Sequence, residues 1–126
     1  MEKDFDNWNI LKKQQEGYKN QIFEENQIWW TNLGVNAGSE ACGKNDNFNR
    51  PVLVVRKFNK SIFLGVPLST KIKEGRFYHN FTLKGKESSA LLSQIRLLDS
   101  KRLTDLIGKI SDKEIGIVRG KIKDLI

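Results

Sequence analysis

The fold is decided by residues 50–68, which read RPVLVVRKFNKSIFLGVPL. Two apolar runs rich in β-branched residues, 50–58 and 61–68, flank the pair Asn59 and Lys60. This spacing is typical of a β-hairpin, in which two antiparallel strands are joined by a tight turn. Pro51 cannot donate a hydrogen bond to a neighbouring strand, so we expect it at the start of the first strand.

Three further strands are predicted around this hairpin. They cover residues 27–33 (QIWWTNL), 76–83 (RFYHNFTL) and 88–98 (SSALLSQIRLL), and the last two are joined by KGKE. Residues 34–49 contain three glycines and five Asn or Asp, which indicates a long polar loop. A loop of this length in a small domain is usually functional or mobile.

Helices are predicted after the strands. Leu103, Leu106 and Ile107 are spaced as in a short helix. Ser111 and Glu114 then form a capping box, in which each side chain bonds the other's backbone amide. An apolar stripe suited to covering a sheet follows at Ile115, Val118, Ile122 and Leu125. Five strands followed by helices indicate an α+β domain with a curled antiparallel sheet.

The N-terminal segment is different in character. Residues 4–16 predict a short helix with Phe5, Trp8 and Leu11 on one face, ended by Gly17. We therefore divide the chain into an N-terminal helical extension, residues 1–26, and a main domain, residues 27–126. We expect the extension to dock its apolar face on the main domain or on a partner subunit and to stay out of any anion-binding groove.

Composition and charge narrow the function classes. The chain has 126 residues, which is one domain's worth, and a single cysteine, which excludes an internal disulfide and suits a reducing cytoplasm. No apolar run reaches the length of a membrane-spanning helix and no signal peptide is visible, so we expect a cytoplasmic protein without a membrane partner.

The net charge is +7, with −2 on residues 1–33 and +8 on residues 44–86. Such a basic band indicates an anionic partner such as nucleic acid; a solvated cationic surface is the alternative.

Five short sequence motifs occur along the chain in the order in which they occur in a known protein family. They are Ile28-Trp29-Trp30, Gly38-Ser39-Glu40, RPVLVV at 50–55, VPLST at 66–70, and SQIR at 93–96 followed by DSKRL at 99–103. The chain resembles the PemK/MazF family of toxin endoribonucleases from bacterial toxin–antitoxin modules over about residues 27–126. The loop residues 44–49 and the N-terminal 26 residues have no counterpart in short family members.

The resemblance implies a fold, an activity and partners. The fold is an SH3-like small β-barrel of antiparallel strands with a C-terminal helix, to which this chain adds its N-terminal helical arm. The activity is sequence-specific cleavage of single-stranded RNA, without a cofactor or metal, that leaves a 2′,3′-cyclic phosphate. The implied partners are a second copy in a homodimer and an acidic, partly disordered cognate antitoxin.

It also implies the catalytic residues. Arg50 is the candidate for binding the phosphate and stabilising its developing charge, because a guanidinium binds two phosphate oxygens at once. A high pKa makes an ordinary arginine a poor proton carrier, so charge stabilisation is its safer role. Ser69 and Thr70 are the candidate catalytic hydroxyls, and which of the two acts stays open.

Candidate substrate-binding residues follow from the same resemblance: Gly38, Ser39, Glu40, Lys71 and Gln94. Glu40 either accepts from a base amine or organises its loop. Some family branches place a histidine and an aspartate where this chain has Ser39 and Ser93, so that acid–base pair is absent here. The single histidine, His79, is interpreted as structural.

Two alternatives from other classes are a gyrase-inhibiting toxin of the same barrel, as in CcdB, and a non-catalytic RNA-binding barrel. The two adjacent tryptophans pose a separate question. Trp29 and Trp30 must point to opposite faces of a strand. One is expected in the core, and the other stacks a base or packs against the N-terminal helix, which we favour.

Overall fold

The described residues, 21–34 and 49–126, form a curled antiparallel sheet of seven strands and a C-terminal helix in a computed structural model of the chain. The elements are β1 (Gln27–Asn32), β2 (Asn49–Lys57), β3 (Ile62–Ser69), β4 (Tyr78–Leu83), β5 (Lys86–Leu91), β6 (Arg96–Asp99), β7 (Leu103–Lys109) and α1 (Asp112–Leu125). Short 3₁₀ turns at Leu92–Gln94 and Ser100–Arg102 flank β6. The predicted helix over residues 4–16 and most of the predicted loop lie outside the described residues.

Strand order explains how the sheet curls. The strands are arranged β4-β5-β3-β2-β1-β7, and β6 pairs with the part of β3 that β5 leaves free. Thus the end of β3 pairs with β5, whereas residues 62–65 pair with β6. Leu83 and Lys84 of the β4–β5 hairpin come within 3.5 Å of a side-chain position at Gly108 on β7. The two outer ends of the sheet therefore approach each other, as expected for a small barrel.

Strand β2 lies at the centre and is buried on both faces. Val52, Leu53 and Val54 are fully buried. Their side chains alternate between two apolar layers, which explains why this strand reads as an unbroken apolar run. One layer lies under α1 and includes Leu53, Val55, Val66, Leu92, Ile115 and Val118; the other includes Phe23, Trp29, Val52, Val54, Phe63 and Leu103. Each such buried side chain contributes about 1.5–3 kcal/mol of transfer free energy.

Both hairpins have turn residues suited to their geometry. The predicted β2–β3 hairpin is confirmed, and the Asn59 side-chain oxygen accepts from the amides of Ser61 and Ile62 at 2.7 and 2.9 Å. The β4–β5 turn consists of Lys84 and Gly85, both in the left-handed region with φ of 50° and 81°. Two such residues match the right-handed twist of the flanking strands.

The C-terminal helix begins as predicted but uses only half of the capping box. The Ser111 hydroxyl oxygen accepts from the Glu114 amide at 3.0 Å, and the apolar stripe packs on the sheet. The Glu114 carboxylate does not return to Ser111. It lies 2.5 Å from Nε2 of the buried His79 on β4, so the histidine joins the helix to the sheet.

Two other predictions are wrong. Residues 103–107 form strand β7 and not a helix, because they pair with β1, where Leu103 faces Thr31 and Leu106 faces Trp29. This tertiary pairing overrides the short helical spacing of Leu103, Leu106 and Ile107. The strand predicted over 88–98 is also broken at Leu92–Gln94. Since β5 and β6 pair with successive parts of β3, the chain must step along β3 between them.

Residues 21–26, which we call the N-terminal clasp, lie against the barrel. Phe23 is 1% exposed, and its ring centroid is 5.1 Å from that of Phe63. The Lys57 ammonium donates to the Phe23 carbonyl at 2.8 Å and lies 4.7 Å from the centroid of its ring. The Glu25 carboxylate accepts from the Lys57 amide at 2.9 Å. The last residues of the predicted extension are thus part of the folded barrel.

The clasp also contacts α1. Arg119 donates to the Val55 carbonyl through Nε and Nη2 at 3.1 and 2.7 Å, and its Nη2 also donates to Glu25 at 3.0 Å. The Asn26 side-chain amide donates to Asp112 at 2.9 Å. The clasp therefore connects the beginning of the described chain to its last helix.

Candidate active site

A cleft of about 300 Å³ lies where three strands meet the β4–β5 hairpin. It is formed by β1, the beginning of β2, the end of β3, and residues of β4 and β5. The lining residues are Trp30, Asn49, Arg50, Pro51, Leu68, Ser69, Thr70, Leu83 and Ser88. Three candidates from the sequence, Arg50, Ser69 and Thr70, are thus brought to one place although 19 positions separate the first pair.

The guanidinium of Arg50 has no protein partner within residues 21–34 and 49–126. Arg50 is the second residue of β2 and is exposed, and its backbone pairs with Thr31 of β1. Because β2 is held on both sides, the arginine projects from a rigid strand. An unpaired guanidinium carried by a rigid strand beside a cleft is suited to binding an anion with two oxygens.

The two hydroxyls are held differently. Ser69 is the last residue of β3 and pairs with Ser89 on β5. Its hydroxyl oxygen accepts from the Lys71 amide at 3.0 Å, which leaves its proton available to a ligand. Within the described chain the hydroxyl of the exposed Thr70 makes no hydrogen bond. The structure therefore orients Ser69 and leaves Thr70 free to rotate.

Other residues of the cleft were not predicted. Leu68, Leu83 and Ser88 form part of its wall. Their presence depends on strand register, which pairs the end of β3 with β5 and positions Leu83 opposite Lys86. No local sequence signal distinguishes these residues from other strand positions. The sequence predicts that one of the two tryptophans lies in the core and that the other stacks a base or packs against the N-terminal helix, without saying which; the structure shows that Trp30 is the exposed one.

The remaining predicted site residues lie elsewhere. Lys71 follows Thr70 and is exposed next to the cleft. Gln94 lies in the 3₁₀ turn between β5 and β6 and is not among the lining residues. Gly38, Ser39 and Glu40 lie outside the described residues.

The basic band of the sequence does not form one surface. Arg50 and Lys57 are at opposite ends of β2, roughly 20 Å apart at the usual rise of a strand. Lys57 is engaged by the N-terminal clasp, as described above. The band therefore cannot face a single groove as a whole, because the strand carries its cations to two different places.

The described residues contain neither a metal-binding cluster nor a membrane-spanning helix. In the ranges 21–34 and 49–126, no group of three or more His, Cys, Asp or Glu side chains is arranged to hold a metal ion. The same part of the chain has no helix long and apolar enough to cross a membrane.

The described residues form a small barrel, with a curled antiparallel sheet and a C-terminal helix, and its cleft contains an unpaired arginine beside two hydroxyls. Residues 24–126 match the family described as PemK-like, MazF-like toxin of type II toxin–antitoxin system. The chain belongs to this family, and it is the toxin component of such a system. A search of curated proteins found no significant match.

Solved structures of family toxins share the fold. MazF from Deinococcus radiodurans is 18% identical, with a TM-score of 0.62, and the match covers 84% of this chain and 97% of that one. An endoribonuclease solved with its cognate antitoxin, from a mycobacterial species, is 13% identical with a TM-score of 0.63, covering 82% and 93%. The toxin MazF-mt6 from Mycobacterium tuberculosis is 14% identical with a TM-score of 0.58, covering 78% and 93%. The predicted SH3-like barrel with a C-terminal helix is confirmed.

Proposed function

We propose that this toxin is a sequence-specific endoribonuclease that cleaves single-stranded RNA. Its substrate in the cell is mRNA. The observation that carries the proposal is the unpaired Arg50 in one cleft with Ser69 and Thr70. Support also comes from family membership and from two similar structures that are named as endoribonucleases.

The proposed reaction is an internal transfer at phosphorus. The ribose 2′-oxygen forms a bond to phosphorus and loses its proton, and the bond from phosphorus to the 5′-oxygen breaks as that oxygen gains a proton. Water in the open cleft exchanges both protons. The products are a 2′,3′-cyclic phosphate and a 5′-hydroxyl. The nucleophile belongs to the substrate and the positive charge comes from Arg50, so this route needs no metal ion or cofactor.

Each residue has a role in this scheme. Arg50 donates to the non-bridging phosphate oxygens, where negative charge increases in the transition state. Ser69, oriented by the Lys71 amide, donates its hydroxyl proton to a phosphate oxygen, and Thr70 assists from the rim. The Lys71 ammonium adds positive charge beside the cleft.

The remaining candidates bind the substrate outside the reacting centre. Gly38, Ser39 and Glu40 remain proposed contacts to bases near the cleaved bond. Gln94 remains a proposed contact to nucleotides beyond the cleft.

The decisive experiment incubates the purified toxin with an RNA of varied sequence in EDTA. We expect cleavage at one short motif, and the new 3′ ends should carry a cyclic phosphate that acid opens. Activity that disappears in EDTA and returns with Mg²⁺ would show the metal-free route to be wrong. If no RNA is cut while DNA gyrase is inhibited, the gyrase-inhibitor alternative replaces the proposal.

The proposed protein partner is an acidic, partly disordered cognate antitoxin that covers the Arg50 cleft. Two similar MazF structures from Deinococcus radiodurans are complexes of MazE with MazF. Carboxylates of the partner would pair with Arg50 and Lys71, so affinity should fall as salt is added. Binding that salt does not change, or that leaves RNA cleavage intact, would contradict this placement.

We also propose a homodimer. A set of apolar side chains lies on the surface between the β2–β3 hairpin, β6 and α1: Phe58, Leu64, Leu97 and Ile122. Phe58 and Leu97 are exposed, and a second copy would bury them. Light scattering should therefore give the mass of two chains, and L97E should give the mass of one. A monomeric wild-type protein would contradict the proposal.

A further inference from the structure

The cleft has an aromatic wall that the proposed chemistry does not use. Trp30 is 41% exposed and lines the cleft, whereas its neighbour Trp29 is 6% exposed. Trp29 belongs to the apolar layer with Phe23, and its indole N–H donates to the Gln27 side chain at 3.0 Å. The alternation of a strand thus directs one tryptophan into the core and the other into the cleft.

The backbone that carries Trp30 is held on both sides. It pairs with Pro51 on β2 and with Asp105 on β7, and its carbonyl accepts from the Thr104 hydroxyl at 3.0 Å. An indole on such a backbone has only two rotatable bonds, so little conformational entropy is lost when a ligand contacts it. The side chain is therefore an apolar surface on a rigid backbone, beside Arg50.

We propose that Trp30 is the surface on which one base of the bound RNA stacks while Arg50 holds an adjacent phosphate. This inference rests on the proposed RNA cleavage and adds a binding residue to it. A nucleotide combines an anionic phosphate with a planar base, and the cleft presents a cation, two hydroxyls and an exposed indole together.

Stacking on Trp30 should affect RNA affinity more than the choice of base sequence. Every base has an aromatic face, and stacking on a protein ring is therefore sequence-tolerant. Trp30 should strengthen binding at one nucleotide position without choosing among the bases there. Selection of the cleavage motif would come from hydrogen-bonding groups elsewhere in the substrate site.

The test is a binding experiment with RNA that cannot be cut, at fixed salt concentration. The probe is a cleavable-motif oligonucleotide with 2′-deoxyribose at the cleaved bond, and single nucleotides in it are made abasic in turn. W30A should bind the intact oligonucleotide about tenfold more weakly than the wild type. One abasic position should weaken the wild type similarly and weaken W30A no further, because the lost partner is the same.

Three variants make the result specific. W30F should keep most of the affinity, whereas W30L should behave like W30A, since only the ring can stack. I117A removes an equally exposed apolar side chain on α1, away from the cleft, and should bind like the wild type.

The outcomes separate this inference from the proposed function. If the wild type cuts RNA and W30A binds every oligonucleotide as tightly as the wild type, the stacking role is wrong and the nuclease remains. If W30A loses thermal stability without losing RNA affinity, Trp30 belongs to a packing contact such as the N-terminal extension, and the proposal is overturned. If the wild type neither binds nor cuts RNA, the proposed function fails and this inference fails with it.

Discussion

The two ends of strand β2 carry the same kind of charge but use it differently. At one end, the Arg50 guanidinium projects beside a cleft, without a partner in the described part of the chain. At the other end, Lys57 is held by the Phe23 carbonyl and ring, and Arg119 is held nearby by Val55 and Glu25. A cation that is already satisfied stabilises the fold, and one that is left unsatisfied is available to a ligand.

This contrast could not be read from charge counts. The sequence contains one basic band over residues 44–86. In the structure, Arg50 of this band lies beside the cleft, whereas Lys57 is bound by the clasp. The difference arises because the clasp supplies carbonyl and carboxylate oxygens to one end only. Substitutions at the clasp end should therefore change stability, and those at the cleft end should change activity.

The largest effect is expected at the core of the clasp. Phe23→Ala removes a fully buried ring and leaves a cavity, which should lower the free energy of unfolding by about 3 kcal/mol. Urea denaturation measures this loss, and Ile22→Ala at the neighbouring exposed position is the matched control. A loss no larger than that of the control would mean that the clasp does not support the barrel.

At the cleft end, Arg50→Ala should reduce the cleavage rate by about 10²-fold or more, because one preorganised charge at the phosphate is lost. Its unfolding free energy should change little, since the side chain is exposed and unpaired in the described chain. Single-turnover cleavage measures the rate. Arg56→Ala, an exposed arginine on the same strand outside the cleft, should cut at the wild-type rate. Equal rates for the two variants would remove Arg50 from the site.

The hydroxyls should differ from each other. Ser69→Ala should reduce the rate about tenfold, as loss of a hydrogen bond to a charged group does. Thr70→Ala should have a smaller effect, because no contact within the described residues orients its hydroxyl. Cleavage rates of both are compared with those of Ser93→Ala, which lies in the 3₁₀ turn after β5. The opposite ranking would assign the phosphate contact to Thr70.

The smallest effect is expected from Arg119→Ala. It removes half-exposed bonds between α1, the Val55 carbonyl and Glu25, and should cost about 1 kcal/mol of unfolding free energy. The cleavage rate should not change, since Arg119 does not line the cleft. Lys123→Ala on the exposed side of the same helix is the control for stability. A rate loss without a stability loss would contradict the division between the two ends.

Local patterns predicted the central part of the fold well. The β2–β3 hairpin followed from two apolar runs around Asn59, and α1 followed from its cap and stripe. The error at β7 has a physical cause: Leu103 and Leu106 are three residues apart, as on one face of a helix, whereas in the strand only Leu103 is buried and Leu106 is exposed. Pairing with the edge of β1 stabilises the strand over the helix at residues 103–107. A local sequence pattern contains no information about that edge.

Part of the candidate site was also predicted, but from a family resemblance and not from local sequence patterns. Arg50, Ser69 and Thr70 were named from a family resemblance, and the register of β1, β2 and β3 brings them together. The wall residues Leu83 and Ser88 reach the cleft through the pairing of β3 with β5 and the curl of the sheet. Such long-range geometry cannot be obtained from the spacing of residues along the chain.

The clasp also affects how the chain must be made. Its contacts join Glu25 to Arg119 and Asn26 to Asp112, across 94 and 86 positions of sequence. Contacts of this separation form late and slow folding, because a long loop must close before they are made. During synthesis on the ribosome, the contacts of the clasp with Lys57 and Phe63 can form first, but those with α1 cannot form until this helix has emerged from the exit tunnel. The toxin therefore reaches its fully closed form only after translation of this helix.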